Sequence, residues 1–184
     1  MNSENDTPPA KSVLHPAPSG LTPDEFISVY GGIYEHAVWV AEAIVKEGYG
    51  PQDNDPAILA HRMRGVVDAA SYERKLALLR AHPELVGKLA LAGKLTTHST
   101  NEQASAGLDA CSEEEFAAFQ SLNERYTSTF GFPFIIAVRN HTRASILTAF
   151  RERVGNDPDT EFDTAIRETH QIARLRLDQM TSTS

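Results

Sequence analysis

Three places in the chain carry residues whose type and spacing could do chemistry. His82 stands directly before Pro83 and Glu84. An unperturbed imidazole titrates near pH ~6.5, so a modest push from its surroundings makes it a general acid or a general base. Its place before Pro83 predicts a helix start, where the helix dipole disfavours a charged imidazole and a nearby carboxylate would favour it. A histidine that only caps a helix or meets solvent has the same spacing, and spacing alone does not separate the two.

The second place is Ser99-Thr100-Asn101-Glu102-Gln103. Ser99 can cap a helix while Glu102 reaches back to it, a capping box worth about 1 kcal/mol. The same carboxylate, amides and hydroxyls at one helix start could also recognise an amide-rich ligand. The small residues Ala104 to Gly107 that follow allow close packing. The third place is Arg176, between Leu175 and Leu177 and so flanked by apolar positions. A guanidinium there must be paired or must touch a ligand. A salt bridge with a carboxylate at the edge of the core is the structural alternative.

Other chemistries find no support. The seven histidines show no HxxxH or HExxH spacing, and Cys111 is the only cysteine, so neither a catalytic metal site nor a disulfide is expected. Cys111 is expected to be a small packed residue, and Trp39 and the phenylalanines core. There is no glycine-rich phosphate loop and no GxSxG elbow. A formal charge of −8 without a basic stripe argues against nucleic acid. No apolar run approaches a membrane span, and Met1 to Ser12 lacks the apolar core of a signal peptide. Thr181-Ser182-Thr183-Ser184 is not a peroxisomal tripeptide. A soluble cytoplasmic protein is expected.

The elements that must position these residues are helical. With 184 residues the chain suits one domain, expected over 21–182 behind a disordered or loosely ordered lead-in over 1–20, where Pro8, Pro9, Pro16 and Pro18 stand among polar residues. Thr22, Pro23 and Glu25 form a capping box that starts the fold. Apolar stripes predict helices from about Tyr34 to Glu47, from Asp55-Pro56 to about Ala70, after Ser71, from Pro83 to Gly93, after Ser112, and from near Pro158 to about Met180. Phe130 to Val138 breaks this grammar. Gly131 and Pro133 disfavour a helix, the run is too apolar for a surface loop, and no second strong strand exists to pair with it. We read it as an extended segment threaded through an all-α domain. Its backbone N–H and C=O groups need partners, and a ligand is one way to supply them.

Taken together, these stretches resemble the family of 2-oxo-4-hydroxy-4-carboxy-5-ureidoimidazoline (OHCU) decarboxylases. The residues that carry the resemblance are Tyr30-Gly31-Gly32-Ile33-Tyr34-Glu35-His36, Ala81-His82-Pro83-Glu84-Leu85, Leu95-Thr96 and Ser99 to Leu108. They continue with Leu122-Asn123, Tyr126, Phe130 to Phe134 and Ile172 to Leu177. The resemblance spans about Thr22 to Met180. It implies a homodimeric all-helical fold and decarboxylation of OHCU to (S)-allantoin, the last step of urate oxidation. It further implies His82 as catalytic acid. Pro83, the segment Ser99, Thr100, Asn101, Glu102 and Gln103, the backbone of Phe134, Ile135, Ile136, Ala137 and Val138, and Arg176 would surround the substrate. No transthyretin-like hydrolase domain is recognisable, so a separate hydroxyisourate hydrolase is expected to act first.

The implied reaction needs no cofactor. Loss of CO₂ leaves a carbanion beside a C=N bond and a ring carbonyl, so the charge delocalises into the substrate itself. The protein must hold the carboxylate in a poorly solvated place, stabilise enolate-like charge and deliver a proton to one face. Glu102 could assist as a partner of His82 or could bind the ureido group. Two other readings remain open: a non-catalytic helical module that binds ureides or hydantoins, and a decarboxylase for another ureido acid. Under the decarboxylase reading, activity is expected to survive exhaustive dialysis against EDTA. Loss that zinc or manganese restores would contradict it.

Overall fold

The computed structural model describes residues 12–85 and 113–183. Within them lie seven α-helices: α1 (Pro23–Tyr30), α2 (Trp39–Glu47), α3 (Pro56–Asp68), α4 (Tyr72–Ala81), α5 (Glu113–Phe130), α6 (Arg143–Arg153) and α7 (Pro158–Gln179). Local chemistry explains most of the starts. Thr22 accepts from the Glu25 N–H while the Glu25 carboxylate accepts from the Thr22 N–H, the capping box expected from the sequence. Asp55, Ser71 and Asp157 cap α3, α4 and α7 through their side-chain oxygens. The helix α6 was not anticipated. Its signal is Thr142, whose hydroxyl accepts from the Ser145 N–H, followed by the buried Ile146, Leu147 and Phe150.

The helix α2 starts at Trp39, later than the apolar stripe predicts. Residues between α1 and α2 instead make a tight turn in which His36 has φ 58°. That left-handed backbone is incompatible with a helix interior. Gly31 opens the turn beside α1, where an added β-carbon would stand 2.4 Å from the Ile27 carbonyl oxygen.

Residues 12–20 are more ordered than a loose lead-in. Ser12–Leu14 forms strand β1, paired antiparallel with β2 (Thr181–Thr183), Leu14 opposite Thr181. The buried Leu14 side chain anchors this two-stranded ribbon on the helical core, which supplies the packing an isolated strand pair lacks. The polar composition of the segment concealed this single apolar anchor.

The long helix α7 organises the interior and packs against α3, α4 and α5. One apolar cluster gathers Leu79, Leu85, Phe119, Tyr126, Phe150, Phe162, Ile172 and the run Phe132 to Val138. The other gathers Leu14, Phe26, Tyr30, Ile33, Tyr34, Leu59, Leu78, Ala173 and Leu177. Thus α7 contributes to both.

The extended segment expected over 130–138 is present but shorter: Phe130 still belongs to α5, and Val138 opens a 3-10 turn (Val138–Asn140). Gly131 (φ 75°) turns the chain out of α5, and Phe134 to Val138 are buried without pairing as a strand. Protein side chains satisfy several of the backbone groups that the sequence left open. The Ala137 N–H donates to Glu168 at 2.8 Å, the Ile135 carbonyl accepts from Arg153 at 2.8 Å, and the Gly131 carbonyl accepts from Arg80 at 3.0 Å.

Arg153 belongs to a buried network centred on Glu161. That carboxylate accepts two bonds from Arg153 at 2.9 and 2.6 Å, one from Asn156 at 2.7 Å and one from the Tyr126 hydroxyl. Burial, reinforced by this carboxylate, drives the Tyr126 proton affinity well above the ordinary phenol range. Glu161→Ala strands the Tyr126 hydroxyl and the Arg153 charge together. It is expected to cost about 3–5 kcal/mol in urea unfolding, with partial recovery in Glu161→Gln.

Candidate active site

His82 ends α4. Its N–H donates to the Leu79 carbonyl at 3.2 Å, and its backbone is extended (φ −67°, ψ 136°), as the following proline favours. The expected helix start is therefore corrected: Pro83 to Leu85 are not helical. At a helix C-terminus the dipole favours the imidazolium, the reverse of the effect expected from sequence. Burial dominates over it. The imidazole is pushed down to about 4, chiefly by desolvation; Glu35 opposes the shift, while Arg176 and His36 add to it. The ring is consequently neutral at neutral pH. Its Nδ1 is buried and has no hydrogen-bond partner among the described residues. A buried polar atom left this way costs about 1–3 kcal/mol and calls for a partner.

Arg176 lies on α7, and it and Glu35 are each 1% exposed. One guanidinium nitrogen donates to a Glu35 oxygen at 2.9 Å, and another faces the carbonyls of Gly32 and Ile33 at 3.5 and 3.4 Å. Of the alternatives open in the sequence, the salt bridge is thus present. It is a buried one, beside the candidate acid.

The turn between α1 and α2 that carries Glu35 is fixed by a second buried contact. The Tyr34 hydroxyl meets His170 Nδ1 at 2.7 Å, and His170 Nε2 meets Asp68 at 3.0 Å. This joins the turn to α7 and α3. Burial raises the Tyr34 proton affinity far beyond the ordinary phenol range and lowers that of His170, against the pull of Asp68. His36 points the other way, half exposed, with Nε2 4.0 Å from the second Glu35 oxygen.

Packing explains why these groups meet. Leu79 and Leu85, on either side of His82, belong to the same cluster as Phe134, Ile135, Ile136, Ala137 and Val138. Leu78 belongs to the cluster of Ile33, Tyr34, Ala173 and Leu177. His82 therefore sits where the two clusters join. Pro83 follows it, half-buried. The side chains of residues 134–138 are committed to the core, so any contact they make with a ligand falls to the backbone. Ser99, Thr100, Asn101, Glu102 and Gln103 lie outside the described residues.

Glu35, Tyr34, His170 and Asp68 were not singled out for a role in the sequence. A signal for Glu35 existed: an arginine at an apolar position demands an acid, and Glu35 lies in the Tyr30–His36 stretch.

The OHCU decarboxylase family profile matches residues 19–178. The chain belongs to this family. It is 42% identical over 158 residues to the OHCU decarboxylase of Haloferax volcanii, covering 85% of this chain and 89% of that one. It is 38% identical over 149 residues to the uric acid degradation bifunctional protein of Bacillus subtilis, covering 80% of this chain and 28% of that protein. Among solved structures it resembles (S)-allantoin synthase, with a TM-score of 0.72 and 35% identity; the match covers 89% of this chain and about half, 52%, of that one. The all-helical fold expected from sequence is thus that of the OHCU decarboxylases.

The buried imidazole has a pH signature. Between pH ~6.5 and about 4 the unfolded chain binds a proton at His82 that the folded chain does not. Stability therefore rises with pH through this window and falls as pH is lowered. The His82 share is roughly 3 kcal/mol at ~1.36 kcal/mol per pKa unit. Imidazole NMR titration should place His82 near 4, and His82→Asn should remove that share from the acid slope. His170, shifted in the same direction, remains in both proteins.

Proposed function

We propose that this OHCU decarboxylase converts OHCU to (S)-allantoin and CO₂ without a cofactor, in urate degradation. The observation that carries the reading is a half-buried histidine whose Nδ1 is itself buried and has no partner among the described residues, placed beside a buried arginine–carboxylate pair. The names of the relatives support the substrate and product.

The geometry suits the chemistry. The free protein keeps His82 neutral. A substrate carboxylate entering this poorly solvated place adds a negative charge and raises the proton affinity of the imidazole. His82 is then protonated in the complex, although not before it. When the C–C bond breaks, its electron pair passes into the C=N bond and ring carbonyl of the substrate. His82 returns its proton to the carbanion on one face, which gives the (S) product. Arg176 belongs on a ring or ureido oxygen, where negative charge grows as CO₂ leaves.

Ser99, Thr100, Asn101 and Gln103 complete the substrate contacts in this reading, with Glu102 supporting His82 or holding the ureido group. Pro83 and the backbone of Phe134 to Val138 also line the substrate in this reading. A cytoplasmic homodimer, supplied by a separate hydroxyisourate hydrolase, completes the proposal. The bifunctional Bacillus subtilis relative supports the place in urate degradation.

The test uses substrate generated from urate by an oxidase and a hydrolase, with circular dichroism following (S)-allantoin. Wild type is expected to speed its formation. His82→Asn should lower turnover by at least about 100-fold, with thermal melting and allantoin binding nearly intact. Near wild-type turnover in this variant would mean that another group delivers the proton. Allantoin binding without turnover in wild type would instead favour a ureide-binding module.

A further inference from the structure

The proposed reaction carries an internal conflict. The substrate is an anion whose charged group must leave as neutral CO₂. A free guanidinium would bind that carboxylate tightly, stabilise the ground state and oppose its loss. It would also lower the proton affinity of His82. Yet Arg176 is buried beside His82, where little solvent screens its charge.

We infer that Glu35 is a positioning residue that neutralises Arg176, so that the guanidinium gives directed hydrogen bonds to the substrate without an ionic grip on its carboxylate. This role rests on the decarboxylase reading and goes beyond it. The 2.9 Å contact to Glu35 is the shortest that Arg176 makes among the described residues; the carbonyls of Gly32 and Ile33 stand at 3.5 and 3.4 Å. Glu35 therefore helps to orient the guanidinium and offsets its charge.

The turn is built to hold Glu35 there. His36, with its left-handed backbone, sends its own side chain out while Glu35 stays 1% exposed. Tyr34, the preceding residue, is tied to His170 on the helix that carries Arg176. Three charged or titratable groups act on His82 from the described elements: Glu35 and His36 of the turn, and Arg176 of α7. Glu35 supplies the negative charge among them. Without it, Arg176 loses the carboxylate that stands 2.9 Å away, and more of its positive charge reaches the substrate carboxylate and the imidazole.

The experiment compares wild type, Glu35→Gln and Glu35→Asp as full chains, with thermal melts to verify folding. Steady-state kinetics use enzymatically generated substrate. Binding is measured by calorimetry for two probes, neutral allantoin and anionic allantoate, at low and high salt. Glu35→Gln should lower both kcat and KM, with kcat down about tenfold. Its preference for allantoate over allantoin should rise about tenfold and weaken with salt. Glu35→Asp keeps the charge and should hold that preference within about twofold of wild type. A purely structural role would reduce the active fraction without moving KM or the anion preference. Unchanged preference in Glu35→Gln, or an equal rise in Glu35→Asp, would overturn the inference.

If Glu35→Gln does not fold, His82→Asn, which cannot recruit a proton, decides: binding allantoate no more tightly than allantoin supports neutralisation, and a roughly tenfold, salt-sensitive preference for allantoate refutes it. Absence of turnover in wild type would sink the decarboxylase reading, whereas the anion preference still judges the role of Glu35.

Discussion

A buried ion pair, Arg176 with Glu35, is the constraint around which the site is arranged. Removing two opposite charges from water costs several kcal/mol per ion, and attraction repays this only with close geometry and further hydrogen bonds. The pair gains both from a turn and a helix 141 residues apart in sequence. Much of the surrounding structure serves this meeting. Gly31 lets the turn press against α1, His36 reverses the chain, and Tyr34 docks on α7 through His170. A buried ion pair is weak evidence for stability, since an apolar pair could fill the same space.

Charge at the site differs in kind from charge on the whole chain. The net charge of −8 opposes the approach of an anionic substrate. Arg176 and Glu35 carry opposite charges, and burial keeps His82 neutral in the free protein. In the proposed reaction, attraction would therefore appear late, in poorly solvated surroundings, and partly through a proton that the anion itself recruits. Such an arrangement favours the transition from anion to neutral gas, because little of the binding rests on a permanent cation.

Local chemistry was the legible part of the sequence. The Thr22–Glu25 box, the helix start after Ser71 and the apolar stripe of α7 all depend on neighbours within a few residues, and they stand where expected. The threaded segment after Gly131 was legible because proline and glycine exclude a helix while apolarity excludes solvent. Long-range effects were not legible. Nothing near His36 announces a left-handed residue, because the turn is held by α7 far along the chain. His82 follows the stop of α4 and precedes no helix start at Pro83, two readings that the residue before a proline leaves open in sequence. Its proton affinity was then expected from a dipole, whereas burial by two apolar clusters decides it. The role of Glu35 needed the pairing itself to be seen.

The ribbon of β1 and β2 sets the two ends of the described chain side by side, Ser12 opposite Thr183. A partner domain joined before the first strand or after the second would leave from the same corner of the molecule. Gene order in a fusion would then have little influence on where the tethered enzyme sits. Handing on an unstable intermediate would be governed by linker reach, an effective-concentration problem, more than by which end carries the tether. The fused Bacillus subtilis relative shows that this kind of covalent coupling occurs in the family.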